Sequence, residues 1–538
     1  MSDRSVETFL APSVSFGRPG RQPARVCSER PVTLGGEDAR EMTSDPATPS
    51  PEPQSSGSPD SASLWATIRA AVRGTDDDMT RVPLKRAVLL LSVPMVLEMS
   101  MESLLTIVDM LFVSKLGADA VATVGLTEAM LSIIYALAMG MAAAATAIIA
   151  RKTGEKDGEG ASNAAVQVIG VSVCIAAVIG AIGAVLAPRM LALMGAEPNV
   201  VATGSTYTAI MFGGSATIFL LFVINAAFRG TGDATVSMRT LWVSNALNLV
   251  LSPCLIFGLG PFPAMGVTGA AIATTVSRGV GVAYALTLMF GGKRRLVVLK
   301  RHITVQVGVI TEVVKIAVGG SFQTLIETAS WLGLVRILSG YGSAALAGYT
   351  FAIRIAIFVL LPCWGLGNAA ATLVGQNLGA GQPDRAKQAV NTIARYNVGF
   401  LAVVSVIFIA LAHPLIRLFT DDAVIEAYGV ECLRIVAIGF LFFGYGMVAI
   451  QAFNGAGKTA IPMVVNVICF WGVKIPLAYL LAEALSIGPR GVFIAIAIAY
   501  TTQAIFAGLL FRRGRWAAPP PAPPAPPPTE VAPAPAPA

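Results

Sequence analysis

Charge is scarce in this 538-residue chain: Asp, Glu, Lys and Arg make up 13% of it, against 55% apolar residues. A soluble protein of this length needs far more charge to keep its surface wet, so the deficit excludes an ordinary water-soluble globule and predicts a surface solvated by lipid. The mean hydropathy of +0.70 points the same way. Histidine is scarcer still. Only His302 and His413 occur and no HExxH is present, which excludes intramembrane metalloprotease chemistry of the usual kind. The six cysteines, Cys27, Cys174, Cys254, Cys363, Cys432 and Cys469, contain no CxxC pair and mostly fall inside apolar runs. They read as small hydrophobes rather than a metal or redox site. The net charge of +7 is not gathered into a basic domain, so it points to loops at a membrane surface and not to nucleic acid.

Twelve apolar runs of helix-spanning length are present, at 87–113, 124–150, 163–187, 203–228, 237–259, 265–290, 312–338, 344–374, 391–413, 428–453, 460–482 and 491–511. Residues 1–84, rich in Pro, Ser, Gly and charge and without a signal-peptide core, are expected to be a disordered cytoplasmic tail. Within it, Leu64, Trp65, Ile68 and Val72 share a helical face with Arg69 and Arg73 beside it, a candidate surface helix. Met79 offers an alternative start. The layout is then an N-terminal lobe at 85–290, a basic cytoplasmic linker at 291–308, a C-terminal lobe at 309–513 and a Pro/Ala-rich tail at 514–538. Twenty basic residues, among them Arg151, Arg229, Arg239, Arg385 and Lys458, fall on the side of both termini; four, Lys115, Arg189, Arg417 and Arg490, fall on the other. That bias predicts a multi-pass protein of the cell membrane with both termini cytoplasmic.

Adding 225 to a position repeatedly lands on an equivalent residue: Glu102 on Glu327, Gly117 on Gly342, Gly140 on Gly365, Gly154 on Gly379 and Met238 on Met463. Six helices per repeat is an even number, so the two halves run parallel about an axis along the membrane normal, an arrangement that places a central cavity between lobes. The fold class expected is an all-α polytopic membrane protein of twelve helices in two six-helix repeats.

The loop Ala227-Phe-Arg-Gly-Thr-Gly-Asp233 resembles the LRGxGD segment of the multidrug and toxic compound extrusion (MATE) transporters. Val108-Asp-Met-Leu-Phe-Val-Ser-Lys-Leu-Gly117, Val374-Gly-Gln-Asn-Leu-Gly-Ala-Gly381 and Gly266-Val-Thr-Gly-Ala-Ala-Ile-Ala-Thr274 are similar to three further segments of that family, in the same order. The resemblance covers about residues 86–513 and implies a V-shaped antiporter that expels organic, often cationic, compounds using a Na+ or H+ gradient. It implies no cofactor beyond the coupling ion.

An ionisable group among lipid-facing residues costs roughly 2.5–3.5 kcal/mol on insertion scales, so each needs a partner or a wet cavity. Asp109 matches the family's first-helix aspartate and is the expected carrier of the coupling ion; its plainer reading is a structural acid near the outer interface. Asn248 and Ser252 lie in a segment resembling the family's NxxLDP, with Ser252 standing where many bacterial members carry an aspartate. That departure removes one carboxylate from a Na+ site, while the remaining Ser and Asn oxygens still suit Na+. Glu327 is a candidate second carboxylate, or a structural one neutralised by Arg354, Arg336 or Lys474. Glu98 and Glu102 stand one turn apart on the first span and are candidates for the cavity beside Asp109, with Glu128 a weaker third. No metal site is expected beyond Na+ at Asp109. Met95, Met99, Met101, Phe322, Trp331, Tyr349, Phe442 and Phe443 are either drug-stacking residues or ordinary packing.

Three readings compete: a cation-coupled exporter, a lipid-linked precursor flippase of the same superfamily, whose cavities carry several basic residues, and a membrane enzyme. No nucleophile, carboxylate pair or metal constellation on one loop supports the last. The partners expected are lipid and small organic substrates, with no nucleic acid and a monomeric state.

Overall fold

The computed structural model describes residues 64–292 and 294–517, all within one compact unit. Residues 1–63, Lys293 and the Pro/Ala repeats at 518–538 lie outside the described residues. A short amphipathic helix, α1 (Leu64–Arg73), precedes twelve helices long and apolar enough to cross a membrane. These are α2 (Leu84–Ser114), α3 (Ala118–Gly154), α4 (Gly158–Leu193), α5 (Pro198–Gly230), α6 (Ala234–Phe257), α7 (Gly266–Phe290), α8 (Val307–Ser339), α9 (Ser343–Gly379), α10 (Pro383–Ala410), α11 (Ala423–Gly455), α12 (Ala460–Ala484) and α13 (Pro489–Arg512). Each expected span is present, most of them extended by a few residues, while the helices Ala234–Phe257, Gly266–Phe290 and Pro383–Ala410 stop or start one to three residues inside the expected bounds at one end. No strand occurs among the described residues.

Local chemistry sets the ends. Asp157 accepts from the Gly160 backbone N–H (2.7 Å) at the start of α4, and Asp422 accepts from Val424 and Ile425 N–H at the start of α11. Burial opposes but does not reverse the effect of the Gly160 bond, which holds the Asp157 carboxyl below its usual value. Such caps satisfy backbone donors that the first helical turn leaves open. The hairpins α2–α3 and α8–α9 turn through Gly117 and Gly342, both in the left-handed region at φ +99° and +96°, the 225-residue repeat expressed as backbone geometry.

The lobes cross-pack: α2 lies along α9, and α8 along α3. Paired glycines permit this. A Cβ on Gly140 would lie 2.1 Å from Ser321 Oγ, and one on its repeat partner Gly365 2.6 Å from the Met95 carbonyl. Nearer the end where α2 begins and α13 finishes, a Cβ on Gly154 would meet the Gln376 carbonyl at 2.0 Å and one on Gly379 the Arg151 carbonyl at 2.1 Å. We call this the basic end. There Gln376 Nε2 also donates across the lobes to the Gly230 carbonyl (2.8 Å). Toward the far end the facing residues Glu128 of α3 and Arg354 of α9 are exposed. The lobes are therefore closed at the basic end and open at the other.

Two expectations change. The N-terminal tail does not extend to residue 84: α1 forms at the candidate surface helix, and Met79 and Thr80 are buried. Arg229, counted among the loop cations, is buried at the end of α5.

Candidate functional site

The cavity wall of the N-terminal lobe is built from α2, α6 and α7, and it collects the expected residues. Asp109 sits on α2. On α6, Ser252 and Asn248 are one turn apart, so their side chains meet: Ser252 Oγ donates to Asn248 Oδ1 at 2.7 Å. Asn248 Nδ2 donates in turn to Thr274 Oγ1 of α7 (3.2 Å). Ser252 Oγ lies 3.5 Å from Asp109 Oδ1, at the limit of a hydrogen bond, and its single proton is already placed on Asn248. Asp109 is thus left without a close donor and is half-buried beside a ready-made polar chain. One turn further along α6, Asn245 Nδ2 donates to Glu102 Oε2 (3.0 Å), which keeps Glu102 on the same wall.

Arg278 of α7 is a member of this site that the sequence reading passed over. Its Nη2 donates to the Tyr135 hydroxyl of α3 (3.0 Å), with the guanidinium 5.9 Å from that ring's centroid. It interacts electrostatically with Glu102 and Asp109, and also with Glu128. A lone basic residue inside an otherwise apolar run, Thr275-Val-Ser-Arg-Gly-Val280, was the available signal.

Glu98 does not line the cavity with Asp109. Its Oε1 pairs with Arg229 Nη1 at 2.7 Å and accepts from Ser237 Oγ at 3.1 Å, with both charged side chains buried. Because α5 returns to the basic end beside α2, the Arg of the Arg-Gly-Thr-Gly loop points inward at mid-α2. Breaking such a pair typically costs about 3–5 kcal/mol, since one charge is left buried alone.

In the C-terminal lobe Glu327 of α8 faces Lys474 of α12, its electrostatic partner. Lys474 is 1% exposed, donates to Ser330 Oγ (2.7 Å) and lies over the Phe470 and Trp331 rings at 4.3 and 5.2 Å. It ends a π-helical stretch, Val467–Lys474. The Trp242 indole donates to the Leu97 carbonyl and the Trp471 indole to Ile326, each bond spanning 145 residues, yet the second pair lies 229 and not 225 positions after the first. Arg354 is not the partner of Glu327; it acts across the cavity on Glu128. Arg336 is exposed near the end of α8. Of the aromatic and Met candidates, Met95, Tyr349 and Phe443 are buried in cores, Phe322 and Phe442 are exposed, and Trp331 packs on Tyr349 and Lys474. No cluster of three or more His, Cys, Asp or Glu fit to hold a metal occurs among the described residues.

Known proteins are similar to this chain in sequence and fold. The MatE family model matches residues 94–254 and 321–480, one match in each lobe. The probable multidrug resistance protein YoeA of Bacillus subtilis is 26% identical over 425 residues, 78% of this chain and 91% of that one. The FAD transporter of Shewanella oneidensis is 25% identical over 431 residues, 80% and 95% of the two chains. A solved outward-facing conformation of a multidrug resistance transporter of this kind superposes with a TM-score of 0.77 at 26% identity, covering 81% of this chain and 96% of that one.

Proposed function

Because the chain belongs to the MatE family, we propose that it is a secondary active antiporter, exporting organic compounds in exchange for protons that Asp109 carries through alternating access. The observation that carries this reading is the position of Asp109: a half-buried carboxylate in a cavity open at the far end, with a 3.5 Å hydroxyl as its nearest hydrogen-bonding group. Asp109 belongs to the helix that crosses between lobes. Two turns below it, Ser103 Oγ donates to the Phe358 carbonyl of α9 (3.0 Å), and Pro94 interrupts the hydrogen-bond ladder of α2 below that. A proton arriving on Asp109 removes the charge that Arg278 faces, and α2 is free to reseat against α9. Departure of the proton restores the charge and with it the present packing. A ligand or proton shifts such an equilibrium only through its differential affinity for the two states, which this change of partner supplies.

Arg278 raises the local electrostatic potential at Asp109 and opposes any second cation there. What supports protons over Na+ is that Ser252 leaves Asp109 as the one carboxylate of this polar chain, and a proton needs a single acceptor oxygen where Na+ needs a shell of several. The oxygens of Asn248, Ser252 and Thr274 favour the second reading, Na+ coupling. Glu102, Asp109 and Glu128 outnumber Arg278 and Arg354 on the cavity wall, which supports cationic or amphiphilic substrates and an exporter over a precursor flippase. The orientation proposed puts the basic end in the cytoplasm. In proteoliposomes, an outside-acid proton gradient should drive ethidium efflux in the wild type and not in Asp109→Asn, with a Na+ gradient alone driving none. Undiminished efflux by Asp109→Asn sinks the assignment; efflux driven by Na+ alone selects the second reading. Arg278→Gln is expected to admit a Na+ response that the wild type lacks.

A further inference from the structure

Residues 74–82, between α1 and α2, cross the basic end and hold both lobes. On the N-terminal side Arg295 Nη2 donates to the carbonyls of Thr75 (3.0 Å) and Asp77 (2.7 Å) while its Nη1 donates to Thr231 (3.4 Å) in the α5–α6 loop. Asp78 pairs with Lys156 of the α3–α4 loop. On the C-terminal side Arg385, at the start of α10, donates to the carbonyls of Met79 (3.1 Å) and Val82. Between these anchors Met79 is 2% exposed, packed in one cluster with Ala386, Ala389 and Val390 of α10. A Cβ on Gly232 would lie 3.5 Å from Met79 Cγ and 3.1 Å from Gln376 Nε2, the group that already bonds across the lobes. Gly232, at φ +86°, is the residue the turn against Met79 requires.

We propose that residues 74–82 are a strap that latches the lobes together at the basic end, with Met79 as its wedge, so that the cavity opens to that end only when the strap lets go. This rests on the antiporter reading, and its test does not need transport. In the full chain with native cysteines replaced, spin labels at Gly158→Cys and Gln382→Cys, both exposed and on opposite lobes, report the separation of the basic ends. Asp78→Lys, which sets two cations together, and Arg385→Ala, which removes two charge-assisted bonds, should each raise the population of the long-distance state about tenfold. The exchange Asp78→Lys with Lys156→Asp should restore the short distance, which a merely misfolded strap would not do. Distances unchanged in both single variants overturn the latch. A shift of the expected size in a protein that moves no dye upholds the latch and refutes the antiporter reading.

A second, independent feature lies away from the inter-lobe cavity. A pocket of about 740 Å³ at the basic end of the C-terminal lobe has Lys387, Arg395 and Arg512 at its rim and Val398, Tyr445 and Phe511 along its wall, with no acidic lining residue. Lys387 and Arg395 are two turns apart on one face of α10, and Arg395 and Arg512 are exposed. Lys387 pairs with Asp384 outside the lining (3.3 Å), so Arg395 and Arg512 carry the site's charge. Two guanidinium groups above an apolar wall match an anionic phospholipid, headgroup by the arginines and acyl chain against the wall. We infer that this pocket holds such a lipid. Phosphatidylglycerol titrated into the detergent-purified protein should raise its melting temperature, whereas phosphatidylcholine with the same chains should not. The increment should vanish in Arg395→Gln/Arg512→Gln and persist in Arg417→Gln at the far end. An equal shift from both lipids, or one retained by the double variant, overturns the inference.

Discussion

In the N-terminal lobe the carboxylate on the first helix, Asp109, faces a guanidinium that it shares with Glu102, in a cavity open to one side. In the C-terminal lobe Glu327, on the equivalent helix, faces Lys474, a single ammonium sealed at 1% exposure between two aromatic rings. The scaffold of the two repeats is the same; the solvation and sharing of the counter-charge differ. A guanidinium shared between two acids and the Tyr135 hydroxyl is committed to neither carboxylate. A dry, dedicated lysine holds its acid in one state, because separating two such charges exposes each to a medium that cannot solvate it. The two repeats thus set their acids against different partners, a shared guanidinium in one and a dedicated ammonium in the other.

The largest expected contrast is functional. Asp109→Asn should abolish gradient-driven efflux while Glu327→Gln keeps most of it, both assayed in the same vesicles; equal loss in the two would erase the distinction between lobes. Stability comes next. Arg229→Met strands Glu98 in the interior and should lower unfolding stability by about 3–5 kcal/mol in a thermal denaturation series, with Glu98→Leu/Arg229→Met recovering most of the loss. Lys474→Met should act in the same direction through Glu327, by roughly 2.5–3.5 kcal/mol, again relieved by Glu327→Gln. A double variant no better than its single would mean that neither pair is coupled. The smallest effect concerns the strap. Burial pushes the Asp78 carboxyl up, but hydrogen bonds from Lys156 and Thr80 outweigh it and hold it at about 2, below the usual 3.8. The contribution of this pair is therefore complete above 3.8 and is lost only as pH falls toward 2, with Arg81 and Arg385 as the other charges facing it. Spin-label distances across the basic end should not change between about pH 5 and 8.

Much of this was legible in one dimension. The spans follow from long apolar runs, because a helix crossing lipid must satisfy every backbone group internally and show apolar side chains all round. The repeat follows from the recurrence of one offset along the sequence, and Asp109 from its cost in an apolar segment. Asp109, Asn248 and Ser252 lie side by side because the last two share a helical face and the first comes within 3.5 Å of Ser252. What failed was pairing. Arg229 reads as a loop cation because it closes a span, yet α5 and α2 converge so that it reaches Glu98, 131 residues away. Arg354 reads as a partner for Glu327 because both belong to one lobe, yet it faces the opposite one. Of the three cations the sequence offers to Glu327, it is Lys474 that faces it.

The sequence by itself determined the solvent, the number of crossings, the duplication and the identity of the costly carboxylate, because each of these is a property of composition or of period along the chain. Tertiary structure alone decided which charge answers which, that Arg278 belongs to the site, and that the segment around Met79 bridges the lobes. Interaction between charges depends on their separation and on the dielectric around them, and both are set by how helices distant in sequence come to lie side by side.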